Sequence, residues 1–213
     1  MKKIVLFILI LLIFNACNNN NSQRKALPKL LKTENRGCSS IEAQKFSTLD
    51  SLLNYYYSSD AYKDSFELNL WLGTFYYYHG HYDSSMYYYQ KSKNIDSSNA
   101  YVQYDIALAY CELNRFDDAL NSINTTISLC GGNWEHFNSK CYILGELNRC
   151  DEAIVAGQIS LKLNPENIKI YGNLLRCYDK LAEGDSVIKY VNIVDAKFGK
   201  TSDWMKKLKS KYE

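Results

Sequence analysis

Glu112-Leu113-Asn114-Arg115-Phe116-Asp117-Asp118-Ala119-Leu120 and Glu146-Leu147-Asn148-Arg149-Cys150-Asp151-Glu152-Ala153-Ile154 are one phrase written twice, 34 residues apart. Six of the nine positions are identical, and two more keep their chemistry (Glu for Asp, Ile for Leu). One period earlier, Gly80-His81-Tyr82-Asp83-Ser84-Ser85-Met86 fits the frame opposite Asn114 to Leu120. One period later, Ala182-Glu183-Gly184-Asp185-Ser186-Val187-Ile188 fits it more loosely. A fixed period of this size marks an array in which each unit is one supersecondary element. Such a unit buries its second face only against the next unit, so the array must stack.

A period of 34 with helix-turn-helix patterning resembles the tetratricopeptide repeat. The repeats then fall at 66–99, 100–133, 134–167 and about 168–201. The family places large residues at positions 7 and 24, small ones at 8, 20 and 27, an aromatic at 11 and Pro at 32. The first repeat supplies Leu72, Gly73, Tyr76, Ser85, Tyr89, Ser92 and Ser97 in chain order. The second supplies Ile106, Ala107, Tyr110, Ala119, Ile123, Thr126 and Gly131. The third departs at Lys140 and Gly157 but keeps Cys141, Leu144, Ala153, Ser160 and Pro165. The fourth has Leu175, Val187 and Val194 in place of small residues, so its two helices should sit further apart.

The resemblance implies an all-α, right-handed superhelical solenoid of about four repeats over 66–201, capped by helices at both ends. Small residues at 8 and 20 let two antiparallel helices approach closely, and large ones fill the seam. Pro165 and the Gly131-Gly132 pair stop helices where the frame requires it. Residues 41–65 are expected to form an N-terminal capping helix or partial repeat, with Leu49, Leu52, Leu53 and Tyr56 on one face of a helix over 41–58. Residues 202–213 are expected to form a C-terminal capping helix, with Trp204 and Leu208 inward and Lys206, Lys207, Lys209 and Lys211 outward.

The first residues read differently. Lys2-Lys3 precedes eleven uninterrupted apolar residues, Ile4 to Phe14. A membrane-spanning helix needs about 20, whereas this length suits a signal peptide. Ala16-Cys17 and the polar run Asn18 to Ser22 follow. The pattern resembles the bacterial lipoprotein signal, although Phe14 and Asn15 stand where Leu and a small residue are usual. It implies a signal peptide over 1–16 and lipid attachment at Cys17, with a flexible tether through residue 40. Two or three acyl chains would hold the protein firmly at a bacterial membrane, with the outer membrane as the expected address. The alternative is an ordinary secretory signal cut near Ala16.

The chain has 213 residues, 25 basic and 23 acidic. Without residues 1–16, which carry Lys2 and Lys3 and no acid, the two signs balance at 23 each. That argues against nucleic-acid binding driven by bulk charge. With 46% hydrophobic residues and two prolines, the chain is not a disordered or low-complexity one.

In the family, positions 2, 5, 9, 12 and 13 of each repeat face a concave groove. Here these are Glu67, Leu70, Thr74, Tyr77 and Tyr78, then Tyr101, Tyr104, Leu108, Cys111 and Glu112. The third and fourth repeats give Glu135, Asn138, Tyr142, Gly145 and Glu146, then Lys169, Gly172, Arg176, Asp179 and Lys180. The expected groove is aromatic at its N-terminal end, acidic in the middle and basic at its C-terminal end. Tyr77, Tyr78, Tyr101, Tyr104, Glu112, Tyr142, Glu146, Arg176 and Lys180 are the candidate partner-binding residues. Tyrosine offers wide contact area at low rotamer cost, and a peptide or protein is the natural ligand. The expected role is a membrane-anchored scaffold of the cell envelope. The layout resembles repeat lipoproteins that serve outer-membrane barrel or pilus assembly.

A carbohydrate or peptidoglycan-fragment binder that stacks Tyr77, Tyr101 and Tyr104 on sugar rings is the alternative. Fourteen of the 19 tyrosines lie between residues 55 and 110, in triplets at 55–57, 76–78 and 87–89. Tyr76, Tyr82 and Tyr89 are assigned to the core. The family's carboxylate clamp, with Lys, Asn and further basic residues, is missing, since Leu70, Thr74, Asp105, Glu135 and Ser139 stand at those positions.

Six cysteines remain beyond Cys17: Cys38, Cys111, Cys130, Cys141, Cys150 and Cys177. An exported chain permits disulfides, and six cysteines allow fifteen pairings. Cys150 with Cys177 is one option and all-thiol the other. No CxxC signals a zinc or redox motif. His79 and His81 read as a solvated turn, and six lysines between Lys197 and Lys211 as a solvated cap face. No phosphate loop, GxSxG or catalytic pair occurs, so neither enzymatic activity nor a cofactor nor a metal is expected.

Overall fold

A computed structural model describes residues 47–58, 65–199 and 201–213. The leader, Cys17, the tether and Cys38 lie outside the described residues. Among the described residues the secondary structure is helical throughout. The helices are α1 Leu49–Ser58, α2 Ser65–Tyr78, α3 Tyr82–Ile95, α4 Ala100–Glu112, α5 Phe116–Cys130, α6 Trp134–Glu146, α7 Cys150–Leu163, α8 Ile168–Lys180, α9 Gly184–Phe198 and α10 Asp203–Ser210. Helices α2 to α9 form four consecutive hairpins stacked in chain order, a helical-repeat solenoid. The first helix of each hairpin (α2, α4, α6, α8) also touches the first helix of the next.

Local sequence explains where each helix begins and turns. Asn99, Asn133 and Asn167, each 34 residues apart, cap α4, α6 and α8. Their side-chain oxygens accept from backbone amides of the first turn, which otherwise have no partner within the helix. Inside each hairpin the turn carries one left-handed residue, at Gly80, Asn114, Asn148 and Ala182, again at the same period. Glycine and asparagine visit that region readily, and alanine does so at a cost of about 1–2 kcal/mol. Gly131 and Gly199 end α5 and α9 in the same conformation.

Packing follows the positions assigned from sequence. Ser85, Ala107, Ala119, Cys141, Ala153, Leu175 and Val187 are all fully buried. Two hairpins are also tied by a hydroxyl. Ser92 Oγ donates to the Phe66 carbonyl at 2.6 Å, and Ser160 Oγ to the Trp134 carbonyl at 2.6 Å. In the fourth hairpin, where Leu175 and Val187 replace small residues, the helices approach less closely than in the first three. Gly157, the misfit of the third repeat, has its missing volume filled by a neighbour. A Cβ there would lie 2.6 Å from Leu174 Cδ2 and 3.0 Å from Cys141 Sγ.

Both ends are covered. Leu52 of α1 is fully buried in a cluster with Trp71, Leu72 and Phe75, and Leu49 and Leu53 pack beside it. At the other end the face of α10 differs from expectation. Trp204 is 43% exposed, and Met205 takes the inward place. Met205, Leu208 and Tyr212 form the stripe that meets α8 and α9, because Tyr212 is held by Asp179. Its hydroxyl donates to Asp179 Oδ1 at 2.8 Å, and Lys211 Nζ pairs with the same carboxylate at 2.6 Å.

Of the three tyrosines assigned to the core, only Tyr89 is fully enclosed, its hydroxyl donating to Thr74 Oγ1 at 3.1 Å. Tyr76 is half-buried and stacks on Tyr88 at 5.5 Å. Tyr82 is half-buried and turned towards Tyr77, at 5.6 Å between rings. It opens the second helix of its hairpin, one turn short of the packed seam.

Two substitutions should move stability in opposite directions. A Cβ on Gly73 would lie 2.4 Å from the Tyr89 ring, which is rigid and buried. Gly73→Ala is therefore expected to cost about 1–3 kcal/mol by overpacking, more than its gain of about 1 kcal/mol in helix propensity. Ala182→Gly should relieve the left-handed alanine and add up to about 1 kcal/mol. Urea denaturation of both variants beside the parent checks the two signs.

Candidate peptide groove

The first helices of successive hairpins are joined by side chains that reach across at a constant sequence step. The Tyr77 hydroxyl donates to Glu112 Oε1 at 3.2 Å, and the hydroxyls of Tyr104 and Ser139 lie 3.1 Å apart. Asn173 Nδ2 donates to Asn138 Oδ1 at 2.9 Å, and Lys180 Nζ donates to the Gly145 carbonyl at 2.6 Å. Each pair is 35 residues apart, one repeat plus one residue. The rungs run from position 5 to position 6 of the next repeat, and from 12 to 13. Lys180 also donates to Asn148 Oδ1 at 3.0 Å. Its charge thus sits at the C-terminus of α6, where a cation is favoured.

The register explains a buried acid. At the first junction the 5-to-6 pair is Leu70 and Asp105, where the third junction has two asparagines. Asp105 is 7% exposed, and burial pushes its carboxyl up to about 8. At the second junction the 12-to-13 pair is Cys111 and Glu146. Burial, with Glu112 and Glu146 nearby, pushes the Cys111 thiol up to about 12.

The candidate residues divide by what they can offer. Tyr78 is about half exposed, and Glu112, Glu146 and Arg176 are exposed. Tyr77 and Tyr142 are half-buried, and burial followed by a neighbouring glutamate raises both phenols, Glu112 for Tyr77 and Glu146 for Tyr142. Tyr101 is half-buried against the central core. Lys180 is exposed but committed to its rung.

Tyr104, expected on the groove surface, is 7% exposed, with its ring 4.8 Å from His136 and its hydroxyl on Ser139. It is an interior joint between repeats. Thr74 and Leu70 likewise turn inward, Thr74 to Tyr89 and Leu70 into the core. Sequence reading missed Tyr82, whose phenol is raised chiefly by Glu112. It also missed the rung partners at position 6, although the period itself could have pointed to them.

At the C-terminal end the groove opens into a small pocket of about 30 Å³ lined by Cys141, Tyr142, Gly145, Glu146, Asn173, Arg176, Cys177 and Lys180. The pocket holds both signs of charge above a floor of thiols. Cys150 and Cys177, one pairing option from sequence, do lie together, and Cys141 joins them. The His79 ring is occupied, stacked on Phe75 at 4.1 Å with Nδ1 2.8 Å from the Phe75 carbonyl. No group of three or more His, Cys, Asp or Glu with metal-holding geometry occurs among the described residues. No described helix is long and apolar enough to cross a membrane.

No protein-family model matches the chain, and no curated protein matches it. Solved structures do. A tetratricopeptide repeat protein from Parabacteroides merdae superposes with a TM-score of 0.64 at 17% identity, over 76% of this chain and 63% of that one. MamA superposes with a TM-score of 0.58 at 18% identity, over 66% and 81%. The first tetratricopeptide domain of Spaghetti (RPAP3), bound to an HSP90 peptide, superposes with a TM-score of 0.53 at 23% identity, over 55% and 94%. At these identities the shared property is the fold, and this chain has the tetratricopeptide-repeat fold.

The buried acid should leave a pH signature. Asp105 titrates near 8 in the native state against an ordinary value of 3.8. The native chain binds the extra proton between those values, so Asp105 lowers stability as pH rises from about 4 to about 8. His136 acts oppositely, because burial lowers it from 6.5 to about 4 and its contribution is lost as pH falls through that window. Asp105→Asn is expected to gain about 1–3 kcal/mol at pH 8 and little at pH 4. Urea titrations at the two pH values check this, and an equal gain at both would sink the explanation.

Proposed function

We propose that this protein is a binding scaffold of the bacterial cell envelope. It holds a peptide segment of a protein partner in the groove lined by α2, α4, α6 and α8. The observation that carries the reading is the regular row of rungs. They fix the first helices side by side and leave Tyr78, Tyr142, Glu146 and Arg176 displayed, with Glu112 exposed at its own rung. Preorganised side chains lose little entropy when a ligand docks. The acidic Glu112 and Glu146 followed by Arg176 suit a peptide that carries a basic segment and then an acidic one.

The same fold in Spaghetti (RPAP3) binds an HSP90 peptide, which supports a peptide as the ligand class. Leu70, Thr74, Asp105 and Glu135 replace the clamp for a terminal carboxylate, so an internal segment fits better than a chain end. The glycan reading weakens, because Tyr104 is interior and the Tyr77 hydroxyl is engaged by Glu112. Lipid attachment at Cys17 and an outer-membrane address belong to this proposal. They rest on Lys2-Lys3, the apolar run Ile4 to Phe14 and Ala16-Cys17.

A photo-crosslinking residue at Arg176, compared in cells with one at the exposed Asn121 of α5, tests the binding face. A discrete protein adduct from position 176 alone is expected, with mass spectrometry naming the partner. Equal adducts from both positions, or none, would count against the groove.

A further inference from the structure

We propose that Cys177 is a site of hydroperoxide oxidation, resolved to a disulfide with Cys141 or Cys150. Three sulfurs from three helices meet here: Cys141 on α6, Cys150 on α7 and Cys177 on α8. All three residues are at least 96% buried and belong to one packed cluster, with Cys177 beside the other two. Two glycines make the space. A Cβ on Gly145 would lie 3.2 Å from Cys177 Sγ, and one on Gly157 would lie 3.0 Å from Cys141 Sγ.

Burial alone would make such thiols inert. Two features change that for Cys177. With Cys141, it lines the small pocket that opens at the groove. Contact with Cys141 and Cys150, with Lys180 nearby, lowers the Cys177 thiol from its ordinary range, whereas the Cys141 thiol is held up. The thiolate is the nucleophile, and a second thiol in contact is what resolves its first oxidation product.

The chemistry balances with an external hydroperoxide as oxidant. The Cys177 thiolate attacks the distal peroxide oxygen. An S–O bond forms, the O–O bond breaks, and the remaining alkoxide or hydroxide leaves with a proton. The sulfur of Cys141 or Cys150 then attacks Cys177 Sγ. An S–S bond forms, the S–O bond breaks, and the departing hydroxide takes the attacking thiol's proton and leaves as water. Two thiols supply the two electrons that reduce the peroxide. Either disulfide staples α8 to the third hairpin directly beneath Tyr142, Glu146 and Arg176.

The reduced full chain, treated with one equivalent of hydrogen peroxide, quenched with N-ethylmaleimide, unfolded and mapped by mass spectrometry, tests this. The expected product is a Cys177 peptide joined to a Cys141 or Cys150 peptide and lacking two hydrogens, while the exposed Cys130 remains alkylated. Cys177→Ser should abolish both products. Cys141→Ser should divert Cys177 to Cys150, and Cys150→Ser should divert it to Cys141, with circular dichroism confirming that each variant is folded. The parent map stands without the variants. Recovery of Cys177 alkylated while Cys130 is oxidised would overturn the proposal. So would oxidation of Cys177 to a sulfinic acid with no partner, or formation of a Cys141–Cys150 disulfide in Cys177→Ser.

Discussion

A single helix hairpin has one face that nothing of its own can bury, and the rest of this structure answers that constraint. Each hairpin covers the open face of the one before it. Leu52 and its neighbours close the first end, and Met205, Leu208 and Tyr212 close the last. The interior is one succession of apolar clusters, and each fully buried large side chain contributes about 1.5–3 kcal/mol. Each hairpin therefore draws part of its stability from its junctions with its neighbours.

The junctions also build the candidate site. The same step that brings Tyr104 to Ser139 and Asn138 to Asn173 brings Lys180 to the end of α6. Polar groups on the first helices thus do two jobs. Some lock neighbouring repeats together, and those left over face outward as a fixed pattern of phenols, carboxylates and a guanidinium. Where the step meets an unmatched pair, as at positions 70 and 105, the acid Asp105 is left buried. Beside the last rungs, Cys141 and Cys177, 36 residues apart, put sulfur in the floor of the pocket.

Much of the fold was legible in the residues. The 34-residue echo placed the hairpins, and Gly131, Pro165 and the small residues at 8 and 20 behaved as their chemistry requires. The asparagines at 99, 133 and 167 and the left-handed turn residues at 80, 114, 148 and 182 carry the same period. The site was legible only as a list of positions. Position 5 was read as groove-facing throughout, yet Leu70 and Tyr104 turn into the interior. Trp204 and Met205 are adjacent in sequence, and only the rotation of α10, set by Tyr212 on Asp179, decides which of them is buried.

The sequence by itself therefore determined the elements, their order and their period. Capping, turn preference and helical periodicity act over a few residues and repeat with the phrase. Tertiary structure decided which side chains became rungs, which tyrosines remained at the surface and which thiols met. Those outcomes depend on the rotation and offset of one helix against another. Packed volume sets both, as where Leu174 fills the space that Gly157 leaves, and no short window of sequence contains both sides of that contact.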